Sequence, residues 1–471
     1  MGLKTIQTKP NLYKVNATQQ VGRFGRCRRL GSQIRRNTIG SLGDRALPLN
    51  KYRPLNFIVL KLLQVSLLIC MSVAASGQPY DILVKDGHVI DAKNEIDGIY
   101  DVAIKNDRIA AVEKDIPASD AELVVDASGL YVTPGLIDLH AHLFWGTNEG
   151  DYLMNSYSAL PADGFTLQYG VTTAVDAGCS GWKSFETFKE QTIDRSKTRV
   201  KAFLNIVGEG MRGDPDEQDV SDMDPRLTAM RVFEFDEIVG IKVAHFKGPN
   251  WEPVRLAVEA GRLSNVPIMV DFGRSEPPLS IEQLFMEELR PGDIYTHCFA
   301  GVVGREPMVD ENGILKPFMK AAVERGIIMD VGHGGGSFRW SVAIPALKQG
   351  LKPQTISTDL HTGSMNRGMK SQINVMSKFL NIGMSMQEVI EASTWKPAQV
   401  VHIEDELGHL SVGALADVAV IRELKGEFGF IDVAEKRMDG NRKLECELTI
   451  LGGEVVWDLN GISKPAWDAE E

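Results

Sequence analysis

Cysteine is scarce in this chain of 471 residues: there are five, and two of them, Cys27 and Cys70, fall within the first 77 positions. The other three, Cys179, Cys298 and Cys446, are scattered, which excludes a disulfide framework and a paired-cysteine zinc motif. Stability must therefore come from a packed core. A net basic charge is missing from most of the chain. Residues 1–77 hold thirteen Lys and Arg against the single acid Asp44, so the remainder carries a net −24 within a total of −12. Phosphate recognition needs a basic face, which argues against nucleic acid as a partner. Short repeats and low-complexity tracts are absent. So is an uninterrupted apolar run of the ~20 residues that a spanning helix needs.

The nearest approach to such a run, residues 55–73, is interrupted by Lys61 and Gln64. It follows Lys51-Tyr52-Arg53 and leads into Ala74-Ala75-Ser76-Gly77. Basic, apolar and then small residues form the pattern of a secretory signal, with cleavage after Gly77. The expectation is an exported protein, periplasmic or secreted, with no stable membrane insertion after cleavage. Ile69 is too large for the position before a lipid-attachment cysteine, which argues against that role for Cys70. Residues 1–50 are long for a signal's basic segment and take no part in the fold reading.

What is present reads as an ordinary globular enzyme, 43% hydrophobic and 24% charged. From Tyr80 short alternating strands are joined by turns such as Asp86-Gly87 and Asn106-Asp107, and the same idiom returns after residue 404. The two ends are expected to build one small β-sandwich domain, residues 78–134 and 405–471. Between them, residues 135–404 alternate apolar strand-like runs with helical stretches, including 252–263 and 386–394. Eight candidate strands can be counted: 135–142, 171–177, 200–207, 238–243, 267–272, 293–299, 327–331 and 355–359. The fold class is therefore α/β, a (β/α)8 barrel whose chemistry sits at the C-terminal ends of its strands.

Those ends carry the reactive side chains. Alternate residues of a strand share a face, so His140 and His142 close the first strand side by side, a pair suited to one divalent metal. Lys242 sits within the apolar run Val239-Gly240-Ile241-Lys242-Val243, where burial disfavours the charged form and exposes a nucleophilic amine. Asp271 ends the fifth strand, His297 the sixth and Asp359 the eighth, with His361 two residues on. His333 opens a glycine run, His333-Gly334-Gly335-Gly336, which permits close backbone approach to a ligand. Cys298 is assigned to packing; His245 and His402 are assigned to the surface or to caps.

Together these segments resemble the amidohydrolase superfamily, in its amidohydrolase/deacetylase branch related to dihydroorotases and D-aminoacylases. The carriers are Pro134-Gly135-Leu136-Ile137-Asp138-Leu139-His140-Ala141-His142, Gly240-Ile241-Lys242, Pro291-Gly292-Asp293-Ile294-Tyr295-Thr296-His297, Asp330-Val331-Gly332-His333-Gly334, Ser357-Thr358-Asp359-Leu360-His361 and Ala414-Leu415-Ala416-Asp417. The match runs over residues 80–459. It implies two zinc ions bridged by a carbamylated Lys242, with His140 and His142 on one ion and His297 on the other. Asp359 is then both ligand and proton carrier, and His333 faces the substrate. At the fifth strand the family often has a histidine, whereas this chain has Asp271, a carboxylate that can also bind zinc and is expected as a metal ligand there.

The activity implied is hydrolysis of an amide or ester in a small N-acyl or O-acyl compound by a metal-bound hydroxide, as in a deacetylase. Hydrolysis of a cyclic amide or imide, or of an N-acyl D-amino acid, uses the same metal core. Dihydroorotase itself fits poorly, because Leu143-Phe144 follow the histidine pair where that branch places an arginine. A reading from another class is a non-catalytic metal- or solute-binding barrel. The partners expected are a small-molecule substrate and, in a homo-oligomer, further copies of the chain. N-terminal sequencing of exported material tests the leader: a start just after Gly77 is expected, and soluble cytoplasmic protein that keeps residues 1–50 would overturn it.

Overall fold

A computed structural model of the protein describes residues 78–156 and 158–468. The leader and its expected cleavage point lie outside the described residues. In chain order the strands are β1 (Tyr80–Asp91), β2 (Ile96–Lys105), β3 (Arg108–Glu113), β4 (Ala121–Asp126), β5 (Tyr131–Pro134) and β6 (Leu136–Ala141). A short hairpin, β7 (Trp145–Asn148) and β8 (Leu153–Met154), precedes β9 (Val171–Gly181), β10 (Arg199–Asn205) and β11 (Ile238–Val243). Then come β12 (Ile268–Val270), β13 (Ile294–Tyr295), β14 (Ile328–Met329), β15 (Val418–Ile431), β16 (Arg437–Leu451) and β17 (Glu454–Asp458).

The two chain ends do meet in one sheet. Its order is β17-β16-β15-β5-β1-β2-β3, with β4 also paired to β1. Side chains alternate across it as the strand period requires. Val418 and Val420 of β15 join a cluster with Val84, Val102 and Val132, while Ala419 and Ile421 face the large central core. The terminal sheet is thereby mounted on the rest of the molecule through one of its faces.

The central sheet is parallel, in the order β14-β13-β12-β11-β10-β9-β6. Its seven strands fall on the first seven candidate segments. The eighth segment differs, because it forms no continuous ladder. Isolated parallel bridges tie Thr355 to Asp330 on one side and Leu360 to Ala141 on the other. Backbone bonds reinforce both sides: Val331 N–H to Thr355 O at 3.1 Å and Gly334 N–H to Thr358 O at 2.8 Å, then His142 N–H to Leu360 O at 2.9 Å. Asp359 has a φ of 53°, which takes it out of strand conformation and interrupts any ladder there. The result is a mixed α/β fold with a curled parallel sheet whose two edges are joined by one irregular segment.

Helices follow the parallel strands. Glu252–Ser264 buries Val254, Ala257, Val258 and Gly261, three and four residues apart, and ends where Asn265 turns left-handed at φ 58°. The other candidate helix is shorter than expected, Met386–Glu391, and opens on a reciprocal cap between Ser385 and Glu388. Among the described residues no helix is long and apolar enough to cross a membrane.

The far end of the β15–β16 hairpin docks on helix Gln372–Asn381 through Lys378. Its fully buried Nζ lies 2.7 Å from the carbonyls of Gly368 and Ile431 and 2.6 Å from His333 Nε2. Lys378→Met would remove the shared donor from all three acceptors, leaving the Gly368 carbonyl and His333 Nε2 buried without it. Urea denaturation is expected to show a loss of about 2–4 kcal/mol, and an unchanged midpoint would mean that the hairpin docks without this lysine.

Candidate metal centre

Three side chains converge at the C-terminal mouth of the parallel sheet. His142 Nε2 is 2.9 Å from Asp359 Oδ1, and His140 Nε2 is 3.6 Å from the same oxygen. One ligand atom from each of His140, His142 and Asp359 lies within 4.8 Å of the others, and all three residues are buried. Two imidazole nitrogens and a carboxylate oxygen are a donor set suited to zinc. Lys242 Nζ approaches within 3.1 Å of His140 Nε2. Its amine is lowered from the usual lysine range chiefly by burial, against the pull of nearby acids such as Asp271. Burial alone would raise Asp359, but His361, His140 and His142 outweigh it and hold the carboxyl below the usual range. It is ionised at neutral pH.

The histidines are oriented from behind. Thr296 Oγ1 is 2.9 Å from His140 Nδ1 and 2.7 Å from Asp330 Oδ2. The hydroxyl donates to Asp330 and so accepts the Nδ1 proton, which leaves the Nε2 lone pair facing the cluster. Asp330 is fully buried and also accepts from Thr355 Oγ1 at 2.6 Å and Ser357 Oγ at 2.7 Å. His142 Nδ1 lies 3.5 Å from Cys179 Sγ. Asp138 accepts from the backbone N–H of His140 at 3.1 Å and of Thr358 at 3.0 Å, pinning the first strand to the eighth segment.

Of the residues singled out in the sequence, His140, His142, Lys242 and Asp359 are brought together. His297 adjoins them, its ring 4.9 Å from that of His140, while its Nε2 faces Asp271 Oδ2 at 3.2 Å. His333 is not part of the group. It is fully buried, stacked on Phe338 at 4.5 Å and bonded to Lys378, so the expected substrate contact is replaced by a structural one. The glycines beside it make room for the site itself. A Cβ on Gly332 would fall 2.3 Å from Thr296 Oγ1, and one on Gly334 2.2 Å from Asp359 Oδ2.

A cavity of about 480 Å³ opens onto this cluster, lined by His142, Asp359 and His361 and by Asp271, His245, Arg305, Glu217, Lys247 and Phe272. His245 therefore lines the cavity with a partly exposed ring and is no helix cap. Its Nε2 is 3.3 Å from Asp271 Oδ2 and its Nδ1 2.8 Å from Glu217 Oε2. Burial opposes its charge, yet bonds to Asp271 and Glu217 prevail and raise it to about 10. Its place three residues beyond Lys242 was the available signal. Thr296 and Asp330 stood inside quoted motifs but had no role there, and nothing local in the sequence marks Arg305 or Cys179.

Residues 340–456 match the model of the amidohydrolase family. A deacetylase of Brucella anthropi is 36% identical over 75% of this chain and 86% of its own length. The solved structure of a dihydroorotase is similar with a TM-score of 0.70 at 32% identity, covering 80% of this chain and 99% of that one. An adenine deaminase structure gives 0.71 at 28% identity over 81% and 100%.

The Thr296 bridge generates a test. Thr296→Val keeps the side-chain shape and deletes both hydrogen bonds. Zinc affinity, measured by competition with a chromophoric chelator, is expected to fall about 10–100-fold with the circular dichroism spectrum unchanged. Parent affinity in that variant would mean His140 is oriented without Thr296.

Proposed function

The chain belongs to the amidohydrolase superfamily, and from that premise we propose that it is a metal-dependent hydrolase of carbon–nitrogen or ester bonds, a deacetylase acting on a small N-acyl or O-acyl compound. The observation that carries this reading is the buried convergence of His140, His142 and Asp359 at the floor of a cavity. A volume of about 480 Å³ suits a small molecule. The deacetylase relatives support the acyl substrate. Leu143 and Phe144 are packed in the central core, so the position where a dihydroorotase would place its arginine offers no cation to the cavity. In the same reading the parallel sheet with segment 355–360 makes a (β/α)8 barrel, the terminal sheet a small β-sandwich, and the leader an export signal.

His140, His142 and Asp359 would hold the ion, proposed as zinc, with Lys242 beside them as a carbamylated fourth ligand. Held there, a divalent ion would supply Lewis acidity for the acyl carbonyl and would lower the pKa of water from 15.7 toward ~7. The residues of the chain do the rest. Asp359 Oδ1 is engaged by His142, whereas Oδ2 lies 3.7 Å from His361 Nε2, at the cavity wall. Oδ2 is thus the oxygen that takes the proton and returns it to the departing amine or alcohol. His361, next to it, is the neighbour through which Asp359 exchanges protons with solvent between turnovers.

Zinc-loaded protein assayed against a panel of small N-acetyl and O-acetyl compounds tests the proposal. Hydrolysis of at least one class is expected, and Asp359→Asn should lower its rate by about 10²–10⁴-fold. Metal binding with no hydrolysis of any acyl compound would return the non-catalytic barrel. A variant turning over near the parent rate would move proton transfer to His361.

A further inference from the structure

The fifth strand carries the departure from the family pattern. Where the resemblance implies a neutral histidine for a second ion, this chain has Asp271, and the surroundings of Asp271 are already cationic. Arg305 Nη1 stands 3.2 Å from its Oδ1. That guanidinium is only 5% exposed, and arginine does not give up its proton in proteins. It is also immobilised. Nη2 donates to the Thr296 carbonyl at 2.6 Å, Nε lies 3.3 Å from the Tyr295 hydroxyl, and the group sits 4.8 and 4.9 Å from the ring centres of Phe272 and Tyr295. The second oxygen, Oδ2, faces His297 Nε2 at 3.2 Å and His245 Nε2 at 3.3 Å.

Both oxygens of Asp271 are therefore engaged by groups of the protein. Among the described residues, the set of three whose ligand atoms all lie within 4.8 Å is His140, His142 and Asp359; Asp271, His297 and His245 do not form such a set. A second dication beside them would meet a fixed guanidinium in a buried, poorly screened setting, where like charges repel strongly. Drawing Asp271 away to bind it would leave Arg305 buried and unpaired, which is strongly destabilising. The residues at this position do not fit a second ion.

We infer that this chain is a one-ion hydrolase in which Asp271 and Arg305 are a coupled replacement for the second metal. The ion sits at His140, His142 and Asp359, and Arg305, which also lines the cavity, supplies a fixed positive charge there. The inference rests on the metal-dependent reading proposed above.

Counting bound metal tests it without relying on activity. Full-length protein is dialysed to equilibrium against micromolar free zinc, and the bound metal is counted by mass spectrometry. One ion per chain is expected for the parent and for Asp271→Asn, and none for His140→Ala. In a parallel sample loaded with manganese, electron paramagnetic resonance is expected to show an isolated ion. The double variant D271H/R305M, with Arg305 and its partner removed together, is expected to take up a second ion. Two ions in the parent, or an exchange-coupled manganese pair, would overturn the inference and leave the proposed function standing. No bound ion in the parent would overturn the proposed function and the inference with it. Failure of a folded D271H/R305M to gain an ion would overturn Arg305 as the excluding charge.

Discussion

The hydrogen bonds that hold segment 355–360 between the two edges of the parallel sheet are the constraint on which the site depends. His140 and His142 stand on one edge, at β6, and Asp359 belongs to neither edge. It reaches His142 only because Leu360 is bonded to the backbone of β6 while Thr355 and Thr358 are bonded to the stretch after β14. Asp138 adds a side-chain clamp across the same seam, accepting from both His140 and Thr358. Burial, offset in part by the bonds from Thr358, raises the Asp138 carboxyl to about 7. Each such bond is worth only about 0.5–1.5 kcal/mol net, but leaving a buried partner unmade costs more, so the seam is held by the cost of opening it.

Space is the second constraint. His297 and Asp359 both adopt left-handed backbone conformations, at φ 57° and 53°. A non-glycine residue held there costs of order 1–3 kcal/mol and persists only where its surroundings leave no alternative. Here they do: His297 Nδ1 is bonded to the Gly332 carbonyl at 2.5 Å, and the backbone carbonyl of Asp359 accepts from Ser364 Oγ at 2.8 Å. Gly332 and Gly334 lack the Cβ atoms that would collide with Thr296 and Asp359. Gly178 does the same for Lys242, whose Cγ would be 2.7 Å from an added Cβ.

The site also separates its two acids by their company. Asp359 faces histidines, which hold its carboxyl below the usual range against the effect of burial. Asp271 faces a permanently charged guanidinium and His245, and is held well below the usual carboxylate range because His297 and His245 outweigh the effect of burial. The same residue type thus stands among histidines in one place and forms half of a buried ion pair in another.

Much of this was legible in the linear chain because it depends on local periodicity. Apolar runs of strand length bounded by turns located seven of the parallel strands, and an alternation of two put His140 and His142 on one face. A lysine inside the apolar run at 238–243 and carboxylates or histidines at strand ends marked Lys242, His297 and Asp359. The return of turn-linked strands after residue 404 foretold that the chain ends would share a sheet. The partners behind those residues were not legible, since pairing depends on which strands become neighbours and how their backbones bend. Thr296 and Asp330 matter because β13 and β14 lie side by side; Arg305 matters because the chain after β13 folds back over Asp271. His333 looked like a ligand contact from its glycines, but the left-handed turn at Gly332 and Gly334 sends its ring inward to Lys378, on a helix 45 residues away in sequence. Sequence alone determined which residue types stand at the strand ends; only the tertiary structure decided which of them share a charge, because Coulomb and hydrogen-bond energies depend on separation in space and not along the chain.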